Sequence, residues 1–448
     1  MNSPQGDQLG AEGGAPPQLG ETSFAGRAVA FCRAHQLLVL FLVAFAVRVA
    51  FILAFGPTAP PWDRGDDQAY DRIADRLVTQ HEYVNTWYPH GYPLFLALNY
   101  ALFGRSWFIT RLIQAGLSAA TCLLIYRLGT KVFSERVGLV AGFLLAIYPG
   151  HVFFSWRLMA EPLYLLLLTW SLLVALSVAA NPHPLRAYAL GALVGVVQLV
   201  KVNLFLFPAM LLVWFAFSTR ASGKRRGLCL TLLIAGLATT MLIQPSVNFL
   251  SAGHQAPVLP GDAGAALWVS NNPLSVGFCD CDDDAPTVKA FIESHGFGER
   301  LKTARPFEKD QIYRSLALSW IRENPGRFLA LMPKKLNNAF GPFPRAQVFV
   351  EDSLARRIVH LLTYGPVALF ALGGMIVSLR RWRACSVLYV VVLSYLPTVL
   401  LFWGSPRYTL MIIPELLIFA SFAIVGVYTY IIGSNRLPRL GGRSGTSS

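Results

Sequence analysis

Two adjacent carboxylates, Asp66 and Asp67, open the stretch Asp-Asp-Gln-Ala-Tyr at 66–70, between apolar runs at 37–55 and 107–126. An aromatic and proline-rich segment, Tyr-Pro-His-Gly-Tyr-Pro-Leu at 88–94, leads back toward the second run. Ionisable side chains beside a bilayer carry a large desolvation penalty, so a cluster of them at a helix end points to a site. A carboxylate placed there can serve as a general base, taking the proton of a hydroxyl that is otherwise a weak nucleophile. The same pair also suits the start of a helix at Gln68, where an acid contributes about 1 kcal/mol as a cap or through the helix dipole.

Other charges stand out because of their apolar surroundings. Glu161 precedes Pro162 at the head of an apolar run, a position equally suited to a helix start. Lys201 and Arg407 each interrupt a hydrophobic stretch, where a cation must find an anion or extend its charge to the interface. Arg157 stands in a similar setting, and Arg48 lies inside the first run.

The elements that hold these residues are membrane spans. Of the 448 residues 54% are hydrophobic and 14% charged, too apolar for an ordinary soluble enzyme. The net charge of +14 is spread over short loops between apolar runs, so no nucleic-acid partner is expected. The expected fold class is an all-α polytopic membrane protein of about ten spans, at 37–55, 107–126, 137–154, 162–180, 187–200, 203–218, 228–247, 358–379, 385–402 and 409–432. The short fifth and sixth spans meet at Lys201-Val-Asn203, a polar corner. With both termini cytoplasmic, Arg127, Lys131, Arg186, Lys224, Arg225, Arg380, Arg381 and Arg436 all fall on the inner face, and the acid cluster faces out.

The domain plan that follows is a disordered tail at 1–30, an N-terminal membrane module at 31–247, an outer segment at 248–357, C-terminal spans at 358–432 and a second tail at 433–448. No cleavable leader is expected, because the first apolar run starts late and lacks a small-residue cleavage site. Within the outer segment, Ile312, Leu316 and Trp320 have helical spacing, and 327–340 reads as an interfacial amphipathic helix carrying Lys334 and Lys335. Short helices packed onto the membrane domain are expected here. The run Cys279-Asp-Cys-Asp-Asp-Asp284 admits a divalent metal, a loop disulfide or a solvated acidic turn. No other cofactor is indicated.

Taken in order, Asp66-Asp67-x-x-Tyr70, Pro89-x-Gly91-Tyr92-Pro93-Leu94, Gly104, Arg111, Tyr148-Pro149, Glu161 and Pro406-Arg407-Tyr408 resemble the GT-C membrane glycosyltransferases. The group most similar is the family 39-like one, which includes bacterial aminoarabinose transferases and protein O-mannosyltransferases. The resemblance implies a GT-C bundle in a bacterial plasma membrane, using a polyprenyl-phosphate sugar and an acceptor hydroxyl on a lipid, polysaccharide or protein, with inversion at the anomeric carbon. It implies Asp66 as general base and Asp67 as the second acid. The leaving phosphate then needs cations rather than a general acid, for which Arg407, able to bind bidentately, and Lys201 are candidates, with Arg157 third. Glu161 shapes the acceptor site; Tyr88, Tyr92 and Trp87 suit stacking on sugar, though aromatics also belt a membrane interface, and Tyr408 is a further substrate-binding candidate. His90 stands where some relatives carry a lysine, and fits a neutral donor to the sugar.

Two rivals use the same composition. A transporter or lipid flippase could own ten spans, but would place its charges near the midplane on broken helices rather than in an outer loop. A non-catalytic binding protein on the same scaffold would have little need of both acids and both cations.

Overall fold

The computed structural model describes residues 35–61, 65–85, 88–252, 263–278, 282–342 and 354–434. It divides into the units Met1–Val39, of which 35–39 are described, and Leu40–Ser448. Every regular element among the described residues is helical. In chain order these are α1 (Gln36–Phe55), α2 (Asp66–Gln80), α3 (Gly91–Phe103), α4 (Trp107–Val132), α5 (Glu135–Ile147), α6 (Pro149–Trp156), α7 (Glu161–Ala180), α8 (Pro184–Val200), α9 (Phe207–Ser218) and α10 (Gly223–Met241). Next come α11 (Ile243–Ala252), and within 248–357 α12 (Ala263–Ser270), α13 (Pro286–Ser294), α14 (Gly298–Thr303), α15 (Pro306–Glu323) and α16 (Pro325–Phe340), the segment expected on the outer face. The chain closes with α17 (Leu354–Ser378), α18 (Trp382–Leu401), α19 (Pro406–Thr409) and α20 (Ile413–Ser434).

Six helical segments are long and apolar enough to span a membrane, seven with the bent pair α5–α6 taken as one. One of the six, Arg357–Leu401, turns back on itself at a 3-10 turn, Leu379–Arg381. The Tyr389 hydroxyl donates to the Met375 carbonyl at 2.6 Å, a contact that a straight helix cannot make between residues about 21 Å apart along its axis. Helices lie at all ten expected positions, but α8 and α9 are among the shorter apolar helices, and α9 with 12 residues, about 18 Å long, does not reach across about 30 Å of hydrocarbon by itself. The third span differs in form, bending by 51° between α5 and α6. Pro149 stands at the break, where it starts a new helix readily and cannot continue the old one. The apolar helix α3 was not read as a separate element in the sequence.

Small residues let the spans approach closely, as they do where lipid offers no hydrophobic drive for association. A Cβ on Gly191 of α8 would lie 1.9 Å from the Leu233 carbonyl oxygen of α10, and one on Gly236 would lie 2.0 Å from that of Tyr188. Arg48 in α1 is fully buried, donating to Ser118 Oγ at 2.7 Å and to the Ala44 and Ala146 carbonyls at 2.8 and 2.9 Å. That mid-span charge ties α1, α4 and α5 together.

The outer segment is more self-contained than the sequence suggests. Trp268, Val288, Ile292, Ile312, Leu316, Trp320 and Leu331 form one apolar core of their own, with the predicted 312/316/320 stripe at its centre. The helix read as interfacial, α16, is docked through a buried lysine. Lys335 donates to Asn271 Oδ1 at 2.8 Å and to the Leu400 and Leu401 carbonyls at 3.1 and 3.3 Å, satisfying the end of span α18. Cys279 and Cys281 lie outside the described residues.

Candidate active site

The helix α2 starts at Asp66, two residues earlier than a cap reading would have it, with Gly65 as N-cap and no side-chain cap. Both acids therefore lie in its first turn, where the helix dipole favours negative charge. They point to different partners. Asp66 Oδ2 lies 2.7 Å from Arg407 Nη1, and Arg407 Nε lies 2.9 Å from Glu161 Oε1. Lys201 Nζ reaches the same Glu161 oxygen at 2.8 Å. Four charges from α2, α7, the α8–α9 corner and α19 thus form one chain, Asp66–Arg407–Glu161–Lys201.

Each member reaches the cluster for a local reason. The pair α7 and α19 begins with proline in the first turn, which starts each helix at the same end of the bundle. Lys201 is the residue at which α8 stops, with an extended backbone. Glu161 is completely buried, its Oε1 shared by the two cations and its Oε2 without a hydrogen-bond partner among the described residues. Burial alone would raise the Asp66 carboxyl, but the Arg407 guanidinium outweighs it and holds the group below its ordinary 3.8.

Asp67 turns the other way, into the bundle, where its Oδ2 accepts from Arg157 Nε at 2.8 Å in a buried pair. Arg157, the third cation candidate, is therefore engaged with the second acid. The Gln114 amide donates to the Arg157 carbonyl at 2.6 Å, and its oxygen accepts the Tyr92 hydroxyl at 2.5 Å. Arg111 secures the neighbouring turn through the Pro57 and Ala59 carbonyls at 2.7 and 2.6 Å and the Trp156 carbonyl at 2.8 Å. Gln114 carried no signal in the sequence, being one polar residue in an apolar run.

The aromatic candidates divide likewise. The Tyr88 hydroxyl donates to Asp66 Oδ1 at 3.3 Å. The Tyr408 ring lies 5.9 Å from Lys201 Nζ and 5.5 Å from the Trp403 ring. Tyr92 is buried beneath, with Tyr70 packed against both it and Tyr88 at 4.9 and 4.7 Å. His90 is fully buried, its Nδ1 2.6 Å from the Tyr83 hydroxyl and 3.0 Å from Asn85 Nδ2, and its backbone N–H donates to Gln244 Oε1. It braces Tyr83 and Asn85. Among the described residues no three His, Cys, Asp or Glu side chains gather as a metal site.

The sequence of 88–243 matches the family described as dolichyl-phosphate-mannose-protein mannosyltransferase. No curated protein matches the chain. In fold it is similar to the archaeal oligosaccharyltransferase AglB from Archaeoglobus fulgidus, solved with an inhibitory peptide and a dolichol-phosphate. The TM-score is 0.52 at 14% identity over 93% of this chain and 53% of that one. The Archaeoglobus fulgidus oligosaccharyltransferase complex with zinc and sulfate gives 0.52 at 15% identity, over 88% and 49%. The chain spans about half the length of these proteins. ArnT from Cupriavidus metallidurans bound to undecaprenyl phosphate is also matched, over 94% of this chain and 82% of that one, at 15% identity and a TM-score of 0.37, too loose to carry an argument. The chain has the GT-C fold of membrane glycosyltransferases.

Proposed function

We propose that this protein is a glycosyltransferase that moves a sugar from a polyprenyl phosphate to an acceptor hydroxyl, on the outer face of the membrane and with inversion. The observation that carries the reading is the chain Asp66–Arg407–Glu161–Lys201, which joins a base and two cations at one end of the bundle. Asp66 takes the acceptor proton as the acceptor oxygen bonds to the anomeric carbon. The bond from that carbon to the phosphate oxygen breaks, and the charge left on the phosphate falls to Arg407 and Lys201.

Glu161 holds both cations in place before the phosphate arrives, so little reorganisation is needed at the moment of reaction. Arg407 has a second role, because one guanidinium contacts both the base and the place a phosphate would occupy. A phosphate drawing Arg407 onto itself releases Asp66 and restores its basicity, which couples donor binding to activation of the base. Asp67 serves as a positioning residue through Arg157, and Tyr88 orients the Asp66 carboxylate. The match at 88–243 and the fold support the donor class.

The test is release of sugar from radiolabelled polyprenyl-phosphate sugars by the purified protein in nanodiscs, beside Asp66→Asn and Arg407→Ala. Turnover by the wild type that both substitutions lower by about 10²-fold or more supports the assignment. No turnover with any donor, even with membrane extract supplied as acceptor, overturns it.

A further inference from the structure

A cavity of about 550 Å³ opens beside α2, lined by Ala69, Arg72, Ile73, Asp75, Arg76, Val84, Asn85 and Tyr88. The residues at 69, 72, 73 and 76 repeat with helical spacing and form the wall that α2 gives to this space. The opposite face, with Asp67, Tyr70, Asp71 and Ala74, is buried in the protein. Asp66 stands at the N-terminal end of the cavity wall, one turn before Ala69, and Tyr88 both lines the cavity and donates to the Asp66 carboxylate.

The charge of the cavity is unbalanced. Among the described residues the Arg72 guanidinium meets only a neutral side chain, Gln68 Oε1 at 2.8 Å, and the Arg76 guanidinium makes no hydrogen bond or ion pair. The acids nearby are already committed: Arg105 holds Asp71 at 2.5 Å and Asp75 at 3.3 Å. Arg72 and Arg76 are one turn apart on the same face, so one anionic group can bridge them.

We propose that this cavity binds the acceptor and that the acceptor carries a phosphate or carboxylate, held by Arg72 and Arg76 while its hydroxyl reaches Asp66 past Tyr88. The rise along α2 sets the anion roughly 9–15 Å from the reacting hydroxyl, a span of two or three sugar units or the head of a phosphorylated glycolipid. This rests on the transfer reading above, since it names the acceptor of that site.

The experiment reads each arginine separately. The full chain in phosphatidylcholine nanodiscs is treated with the arginine reagent phenylglyoxal, and modification is mapped by mass spectrometry with and without inorganic phosphate. Phosphate should slow the modification of Arg72 and Arg76 together, and chloride at matched ionic strength should not. Transfer is then followed against increasing membrane-extract acceptor, where Arg72→Gln/Arg76→Gln should raise the half-saturating amount about tenfold or more. Absence of phosphate protection overturns the proposal, as does an unchanged acceptor dependence. Protection by phosphatidylglycerol nanodiscs alone would assign the arginines to the membrane surface and also overturn it. Phosphate protection in a wild type that shows no donor turnover would keep the anion site and discard the transfer reading, so the two fail separately.

Discussion

The two neighbouring carboxylates show how far residue type alone carries an assignment. Asp66 and Asp67 are equivalent as letters, yet one meets Arg407 near the surface and the other Arg157 in the interior, because successive helical residues point about 100° apart. Replacing the proposed base, Asp66→Asn, should lower transfer by about 10²–10⁴-fold with donor binding retained, read as turnover beside binding of a labelled polyprenyl-phosphate sugar. The pH dependence has a defined sign. The folded Asp66 carboxyl titrates below its ordinary 3.8, so its ionised form contributes stability above that value and loses it as pH falls through the lower one. Arg407→Ala removes the cation and lets burial raise the group, so the acid limb of residual activity should move to higher pH; an unmoved limb would argue against the Asp66–Arg407 coupling. Glu161→Gln leaves the buried Lys201 without its anion and Arg407 with Asp66 alone, and should lower stability by about 3–5 kcal/mol, measured by thermal unfolding in detergent.

Among the elements, the spans were legible because an apolar run of membrane length has few alternatives. The break at Pro149 and the fold-back at 379–381 were not, since both depend on what a helix meets rather than on its own composition. The close approach of α8 and α10 depends on glycines whose importance no single run reveals. Gly191→Ala sets a methyl 1.9 Å from a backbone oxygen that cannot yield, and should destabilise the pair by about 1–3 kcal/mol. Gly227→Ala, where nothing lies within 4 Å of the new carbon, is the control that should leave the thermal midpoint in place.

At the scale of the whole molecule, the segment that carries α12 to α16 is joined to α18 through Lys335. Burial pushes its ammonium down to about 7 from the ordinary 10.5, so between these values the unfolded chain binds more protons than the folded one. Stability should therefore rise with pH across that window and be lowest below pH 7, and Lys335→Met should flatten the profile of thermal midpoint against pH. Class, span positions and the presence of a charged site were readable in the chain itself, because hydropathy and isolated charges are local properties that no folding step alters. The partnership of Asp66 with Arg407, 341 positions apart, the sharing of Glu161 by two cations, and the diversion of Asp67 to Arg157 were decided only in three dimensions. A buried charge must find an opposite one, but which one depends on where several helix ends meet, and that is set by the packing of the bundle rather than by any segment of it.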